Sequence, residues 1–271
     1  MYGTIVHIET NKGEQQLGKL TLNVENGIAW VTINRPEKRN AIDFDVIQML
    51  DAYLDEIEKN NEAKLLVITG AGDKAFCSGG DLSAFHGLKT SEQAFEMLYS
   101  MGRVLYRLCT FEKPTVALLN GTAVGGGCEI ATACDFRLAS ENAKLGFIQG
   151  SLGITTGWGG GTMLYERLES PHAMHLLMTS KLITASEGKK IGYIQHTFTP
   201  VCLKEQAVEY LKPYTSQHLT VLRAYKQAFV EKLVESNLKT RMRKEMERCA
   251  HLWDSKEHHE AVDRFLEKKK S

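Results

Sequence analysis

The sequence predicts an α/β fold in which parallel strands alternate with crossover helices, ahead of a helical C-terminal region. The short apolar runs LLVITG (65–70) and PTVALL (114–119) are typical of buried strands. Amphipathic helical patterns separate these runs, and parallel neighbours need such long crossovers. Residues 203–270 are charged and nearly free of glycine, which favours helices there.

The first predicted elements are a hairpin and a helix. Residues 19–34 alternate apolar and polar around Asn26-Gly27, a residue pair that strongly favours a tight hairpin turn. Asp43 is predicted to cap the helix that follows. A second amphipathic helix is predicted over 91–111, and Pro114 opens the next strand, where its missing N–H is tolerated. The apolar stripe of the first helix comprises Val46, Ile47, Leu50, Leu54 and Ile57.

Composition argues against several classes of protein. The 271 residues carry no formal net charge, which disfavours a protein held on nucleic acid by phosphate contacts. No apolar run reaches the ~18–20 residues that cross a membrane. The start, MYGTIVHIETNKGEQQ, lacks the pattern of a leader peptide. We therefore expect a soluble cytoplasmic protein.

No metal site is expected from the cysteines and histidines. The six cysteines form no CxxC pair and have no histidine at zinc spacing, so they are expected to be buried thiols in a reducing compartment. His172, His175 and the His258-His259 pair lack carboxylate or cysteine partners at a ligand spacing. They are interpreted as surface or packing residues.

Two glycine loops are the candidates for chemistry. Ser78-Gly79-Gly80-Asp81 follows LLVITG, whereas Gly125-Gly126-Gly127 follows PTVALLNG and opens the predicted helix CEIATAC. A helix N-terminus leaves amide N–H groups unpaired, and glycine lets a ligand atom approach them closely. If the two loops converge, they form a two-donor site for an oxyanion.

Two other interpretations of the glycines remain. The residues fit neither GxGxxG nor GxxxxGK[ST], which disfavours a phosphate or dinucleotide site. Each loop alone is explained as well by a tight strand-to-helix turn. The same arrangement in both loops favours the oxyanion site over two unrelated turns.

The chain resembles the crotonase, or enoyl-CoA hydratase/isomerase, superfamily along almost its whole length. The resemblance implies a spiral of ββα units over 1–200 that holds an acyl-CoA site, and a helical trimerisation region over 201–271. It also implies a homotrimer or a hexamer built from two trimers. The stretches that carry it are WVTINRPEKRNAID, AFCSGGDL, KPTVALLNGTAVGGGCEIATACDFRLAS, LGITTGWGGG and AVDRFLEKKK.

The resemblance also implies roles for particular residues. The N–H groups of Gly80 and Gly126 would bind the thioester oxygen, beside the catalytic carboxyl of Glu129. Arg35 and Lys38 would meet the nucleotide end of CoA. No separate cofactor is implied, because CoA is part of the substrate. The remaining implied contacts to acyl-CoA are Ala41, Asp81, Leu82, Ser83, Gly125, Gly157, Trp158 and, in the C-terminal element, Phe265 and Lys268.

Residue 149 departs from the hydratase pattern. The family's hydratases use two carboxylates, because one group handles water and the other the proton at Cα. Glu129 matches the first. Anchoring on Leu152-Gly153 puts Gln149 at the second, and residues 142–165 contain no Asp or Glu. Glutamine cannot transfer a proton as a carboxylate does, so hydration and double-bond isomerisation are both disfavoured.

Two stretches resemble the ethylmalonyl-CoA decarboxylase branch, which also lacks the second carboxylate. They are the predicted helix ATACDFRL and Trp158-Gly159-Gly160. Decarboxylation to a thioester enolate needs an oxyanion site and a proton donor but no activated water. Glu129 is interpreted as positioning substrate or donating that proton, or else as stabilising a helix dipole. Trp158 is interpreted as a wall of the acyl pocket, or as packing under the loop.

The expected function is therefore that of a lyase that decarboxylates a substituted malonyl-CoA. Two alternatives remain: a true enoyl-CoA hydratase, and a CoA-ester-binding protein without turnover.

Overall fold

A computed structural model describes residues 18–268, apart from the side chains of Phe265, Leu266 and Lys268. The strands within this range are Leu20–Glu25 (β1), Ile28–Ile33 (β2), Leu65–Gly70 (β3), Ala75–Cys77 (β4), Thr115–Leu119 (β5), Thr122–Val124 (β6), Phe136–Ser140 (β7), Lys144–Gly146 (β8), Ile183–Thr184 (β9) and His196–Phe198 (β10). They form a six-stranded sheet in the order β1-β2-β3-β5-β7-β10 and a four-stranded sheet in the order β4-β6-β8-β9.

Helices connect and cover these strands. They are Phe44–Lys59 (α1), Leu82–Phe85 (α2), Ser91–Cys109 (α3), Gly126–Ala133 (α4), Gly160–Arg167 (α5), Ser170–Thr179 (α6), Ala185–Lys190 (α7), Leu203–Thr215 (α8), Leu219–Glu235 (α9), Leu238–Trp253 (α10) and Lys256–Lys268 (α11). Short 3₁₀ helices span Pro36–Lys38 and Ile148–Leu152. No helix in the described range is both long and apolar enough to cross a membrane.

The predicted α/β fold with a helical C-terminal region is confirmed. The hairpin forms between β1 and β2, with Asn26 and Gly27 at φ values of 53° and 77° in its turn. Asp43 caps α1, because its side chain accepts a hydrogen bond from Val46 N at 3.1 Å. The helix predicted over ATACDFRL is wrong: α4 ends at Ala133, and Phe136 begins strand β7.

The C-terminal helices pack into the same core as the sheets. Helix α10 lies against α3, and Met242 and Met246 belong to the main apolar cluster together with strand residues such as Ile68 and Ala117. The division of the chain at residue 200 stays a prediction.

The pairing of two short strands positions the glycine loops. Strands β4 and β6 run parallel, with Ala75 opposite Thr122 and Cys77 opposite Ala123. Because the chain leaves both strands at the same edge, the segments that follow them lie side by side. These segments are Ser78–Asp81 and Gly125–Gly127.

Candidate active site

The two glycine loops are in contact. Gly79 has a φ of +93°, which favours glycine, and an ideal Cβ placed on it would lie 3.0 Å from the Gly126 nitrogen. A side chain at residue 79 would therefore separate the loops. The structure thus brings together the two segments that the sequence singled out.

An isolated β-bridge leaves the Gly80 amide free. The Ile42 N–H donates to the Gly79 carbonyl and the Asp81 N–H donates to the Ile42 carbonyl, each at 2.8 Å. The intervening Gly80 N–H therefore points away from this bridge. It donates to no group within residues 18–268.

The Gly126 amide is free for a different reason. Gly126 is the first residue of α4, where the helix offers its N–H no acceptor. The preceding Gly125 has a φ of +56° and donates its own N–H to the Gly146 carbonyl at 2.9 Å. No acceptor within the described range takes the Gly126 N–H, so two adjacent loops each offer one donor.

An apolar cavity of about 150 Å³ opens beside these amides. The indole of Trp158 forms one wall: an ideal Cβ on Gly126 would lie 2.1 Å from Trp158 Cζ3, and one on Gly80 would lie 3.6 Å from Cζ2. Only glycine at residue 126 leaves room for this ring. Apolar side chains complete the walls, among them Phe85, Met97, Leu98, Ile154 and Trp253.

Glu129 places its carboxyl group in this cavity. It lies one turn after Gly126 on α4 and is 3% exposed. Its Oε1 accepts hydrogen bonds from the N–H groups of Trp158 at 2.8 Å and Gly160 at 2.9 Å. Its Oε2 accepts from Gln149 Nε2 at 2.9 Å. An ideal Cβ on Gly160 would lie 2.2 Å from Glu129 Cγ, so glycine is required there as well.

The surroundings of Glu129 favour its protonated form. Burial raises the pKa of Glu129 to about 8, and the nearby Glu245 acts in the same direction. The three hydrogen bonds that it accepts act in the opposite direction but do not outweigh burial. Near neutral pH this group therefore holds a proton that it can donate.

Gln149 lies next to Glu129. It belongs to the 3₁₀ helix Ile148–Leu152 and is 8% exposed. Its Nε2 is used by Glu129, whereas its Oε1 is buried and has no hydrogen-bond partner among the described residues. A buried acceptor of this kind normally has a partner, so the cavity presents one position for a hydrogen-bond donor.

Arg35 makes buried contacts with the segments on either side of it. Its guanidinium is buried and donates to the Ala41 carbonyl at 2.6 Å and to Asp81 Oδ2 at 2.8 Å, and it lies 3.3 Å from Asp43 Oδ2. Asp81 in turn accepts from Ser83 N at 3.0 Å and so caps α2. These contacts hold the Gly80 loop, and contact of Arg35 with CoA stays a prediction.

The other residues predicted to contact the substrate differ in their exposure to solvent. Lys38 and Ser83 are exposed, Leu82 is half-buried at the cavity, and Gly157 is buried against Leu98 and Cys249. Contact of these residues with CoA stays a prediction. The side chains of Phe265 and Lys268 lie outside the described residues.

Helix α10 contributes residues that the sequence did not single out. Cys249 and Trp253 line the cavity, and Glu245 is buried near Glu129. The sequence did hold a signal for Glu245. This residue has the helical spacing of the apolar residues of α10, so it could have been predicted to lie on the buried face of that helix. Those apolar residues include Leu238, Met242, Met246 and Cys249.

The cysteines and histidines of the described range were also compared with their expected roles. Within residues 18–268 no group of three or more His, Cys, Asp or Glu side chains is placed to hold an ion. Five cysteines are buried as predicted, but Cys202 is exposed, which corrects the expectation for that residue. His172 and His175 lie on the surface, and His258 packs with its Nδ1 2.7 Å from the Leu152 carbonyl.

This strand order, with helices at the C-terminal end of the chain, defines a protein of the crotonase fold. The enoyl-CoA hydratase from Bacillus halodurans superposes with a TM-score of 0.83 over 91% of this chain and 100% of that chain, at 24% identity. The family profile described as enoyl-CoA hydratase/isomerase matches residues 23–271. The chain belongs to the enoyl-CoA hydratase/isomerase family.

Similar proteins carry two different names. The short-chain-enoyl-CoA hydratase of Clostridium acetobutylicum is 34% identical over 256 residues, which covers 94% of this chain and 97% of the relative. The ethylmalonyl-CoA decarboxylase of Xenopus laevis is 31% identical over 231 residues, which covers 84% of this chain and 77% of the relative. Sequence similarity alone therefore leaves the choice of reaction open.

Proposed function

We propose that this protein decarboxylates a substituted malonyl-CoA to the corresponding acyl-CoA. The observation that carries the proposal is the pairing of Glu129 with Gln149 at 2.9 Å. Among the described residues that line the cavity, Glu129 carries the only carboxyl group. The site therefore has one group able to transfer a proton to carbon, and an amide where a hydratase of this family has its second carboxylate.

The first step breaks the bond between Cα and the carboxylate carbon. Its electron pair moves into the bond between Cα and the thioester carbon, and CO₂ leaves. The thioester oxygen becomes an enolate oxygen, which accepts hydrogen bonds from the N–H groups of Gly80 and Gly126. A preorganised donor of this type lowers a barrier by ~3 kcal/mol, because it acts where charge develops.

The second step protonates the enolate. The electron pair of the enolate forms a Cα–H bond with the proton of Glu129, and the thioester carbonyl is restored. Glu129 becomes a carboxylate and regains a proton from solvent after the product leaves. Its raised pKa of about 8 suits this role, because a donor acts best when its pKa lies near the working pH.

The cavity walls support a decarboxylation. Apolar side chains would keep water away from the carboxylate of a bound substrate; they are those of Phe85, Met97, Leu98 and Trp158. A poorly hydrated carboxylate loses CO₂ more readily than a hydrated one. A protonated Glu129 also leaves the cavity wall without a charged carboxylate that would repel the substrate. A cavity of about 150 Å³ holds a benzene-sized group, which favours a short acyl chain.

Hydration of an enoyl-CoA is the second candidate. The relative named short-chain-enoyl-CoA hydratase covers 94% of this chain, and the buried Gln149 Oε1 offers an acceptor for a water molecule. Against this candidate, Gln149 can orient water but cannot deprotonate it. We also propose, from family membership, that the protein assembles as a trimer or a hexamer and requires no separate cofactor.

The test is to incubate the protein separately with ethylmalonyl-CoA, methylmalonyl-CoA and crotonyl-CoA in D₂O and to follow the thioesters by mass spectrometry. We expect release of CO₂ from the malonyl esters and an acyl-CoA product with one deuterium at Cα. Crotonyl-CoA should remain unchanged. Rapid hydration of crotonyl-CoA without release of CO₂ would establish the second candidate. Binding of all three esters without any conversion would establish a protein without turnover.

A further inference from the structure

The second glycine triplet of the chain, Gly159-Gly160-Gly161, lies between two buried carboxyl groups. Glu129 Oε1 accepts from Trp158 N and Gly160 N at 2.8 and 2.9 Å. From the other side Glu245 accepts from Gly161 N, through Oε1 at 3.1 Å, and from the next N–H, that of Thr162, through Oε2 at 2.6 Å. Four amide groups at the start of α5 thus serve two acids.

We propose that Glu245 is a positioning residue for Glu129: the two acids share the N-terminus of α5, and the fixed contacts of Glu245 leave the proton of the pair on Glu129. This inference extends the proposed function, because it explains how the proton donor is kept protonated. The location of the proton can be tested without reference to any reaction.

The first argument is the charge of the pair. Glu129 is 3% and Glu245 is 5% exposed, and neither forms an ion pair with a cation in the described part of the chain. A helix N-terminus supplies only about half a positive charge. Two buried carboxylates at one helix end would therefore repel each other without compensation, and one of them retains a proton.

The second argument decides which acid holds that proton. Both oxygens of Glu245 accept from backbone N–H groups, which can donate but never accept, and the hydroxyls of Thr156 and Thr162 also form hydrogen bonds to Glu245; together these contacts favour its ionised form. Glu129 Oε2 instead faces the amide of Gln149. The amide of Gln149 can donate from its NH₂ group to an ionised Glu129. If the amide group rotates by about 180°, its carbonyl oxygen can instead accept from a protonated Glu129. Its Oε1 has no other partner among the described residues.

The remaining neighbours of the pair do not change this assignment. The thiols of Cys128 and Cys249 are buried, and burial raises their pKa, so they stay neutral. The segments 156–164 and 148–152 contribute no ionisable side chain. Burial raises the pKa of Glu245 as well, whereas the hydrogen bonds that it accepts from Thr156, Thr162 and Gly161 act in the opposite direction.

The experiment locates the proton by infrared spectroscopy of protein that carries ¹³C-labelled glutamate. We expect the wild-type protein at pH 7 to show the C=O band of a buried protonated acid, and Glu129→Gln to lose it. In Glu245→Gln the midpoint at which this band titrates should fall by about one pH unit or more, because the like charge is gone. Glu247→Gln is the matched control, since it removes an exposed charge from the same helix and should leave the midpoint unchanged.

A milder variant guards against misfolding of Glu245→Gln. The Thr156 hydroxyl donates a hydrogen bond to Glu245, so Thr156→Val should destabilise the ionised form of Glu245. Because Glu245 would then hold a proton more often, the pH at which the Glu129 band titrates should also fall. An ionised Glu129 in the wild-type protein at pH 7 overturns the proposal. So does an unchanged midpoint in a folded Glu245→Gln or Thr156→Val protein. Absence of decarboxylation with the expected midpoints would instead refute only the proposed function.

Discussion

Glu129 Oε2 and Gln149 Nε2 lie 2.9 Å apart inside a cavity whose other described walls carry no carboxyl group. This contact joins helix α4 to the 3₁₀ helix Ile148–Leu152, 20 residues further along the chain. Our proposal rests on this contact, because it pairs one carboxyl group with an amide that cannot take a proton from water.

The proton donor can be tested by replacing Glu129 with glutamine. The amide keeps an oxygen for the N–H groups of Trp158 and Gly160 but has no proton to transfer. We expect Glu129→Gln to lower kcat by ~10²–10⁴-fold with little change in KM, which is the usual contribution of a general acid. Steady-state assays on the malonyl ester that the wild-type protein converts measure both constants. An unchanged kcat would leave Glu129 with a purely structural role.

The donor glycine can be tested together with the ring that covers it. A Cβ at residue 126 would lie 2.1 Å from Trp158 Cζ3, so Gly126→Ala must displace the indole or the loop. We expect activity to fall by ~10²-fold or more, since one oxyanion donor moves. The double variant Gly126→Ala/Trp158→Leu should recover part of this loss.

The control for this prediction is Gly87→Ala, because an ideal Cβ at that glycine meets nothing within 4 Å. This variant should retain full activity. If Trp158→Leu rescues nothing although Gly126→Ala is folded, the ring is not the cause of the loss.

Arg35 and Lys38 should affect different properties although they lie in the same short loop. Arg35→Met leaves the buried Asp81 without its cation, whereas Asp43 keeps Lys19, and breaking a buried pair in this way costs about 3–5 kcal/mol of stability. Lys38 is exposed, so Lys38→Met should leave stability unchanged and weaken only the binding of CoA esters. Denaturant titration and calorimetry with free CoA measure the two effects. Equal destabilisation by both variants would contradict this division.

Much of the fold could be predicted because its signals are local. The Asn26-Gly27 turn, the Asp43 cap and the apolar runs each act on their own neighbours in the chain. The two glycine loops could be singled out, because each follows a buried strand, but their contact depends on the short strands β4 and β6, which the sequence did not predict. Arg35 could not be assigned, since its partner Asp81 lies 46 residues away in sequence and pairing depends on packing. The same holds for Glu245, which is 84 residues from Gly161.

The raised pKa of Glu129 predicts how stability depends on pH. The pKa is about 8 in the folded protein and 4.5 for an ordinary glutamate, so between these values the folded state binds a proton that the unfolded state has released. Stability therefore decreases as pH rises through this window, by up to ~1.4 kcal/mol per pH unit.

Glu129→Gln isolates this contribution. The free energy of unfolding of the wild-type protein, minus that of the variant, should decrease steadily from pH 5 to pH 8 and level off above pH 8. Urea titrations at one fixed protein concentration measure it, since assembly also affects stability. A difference that stays constant from pH 5 to pH 8 would mean that Glu129 is already ionised in the folded protein.

Gln149→Glu should convert the site toward hydration. The new carboxyl would lie within hydrogen-bond distance of Glu129, and two acids so close share one proton because like charges repel. The ionised member supplies the base for water that Gln149 cannot provide, so hydration of crotonyl-CoA should increase by ~10²-fold or more. Decarboxylation should decrease, because the added charge repels the malonyl carboxylate. Gln149→Met is the control, because it has a similar volume and no charge but cannot donate the hydrogen bond to Glu129. It should therefore reduce decarboxylation without any gain of hydration. The ratio of kcat/KM for the two esters measures the conversion, and an unchanged ratio in folded Gln149→Glu would show that residue 149 does not select the reaction.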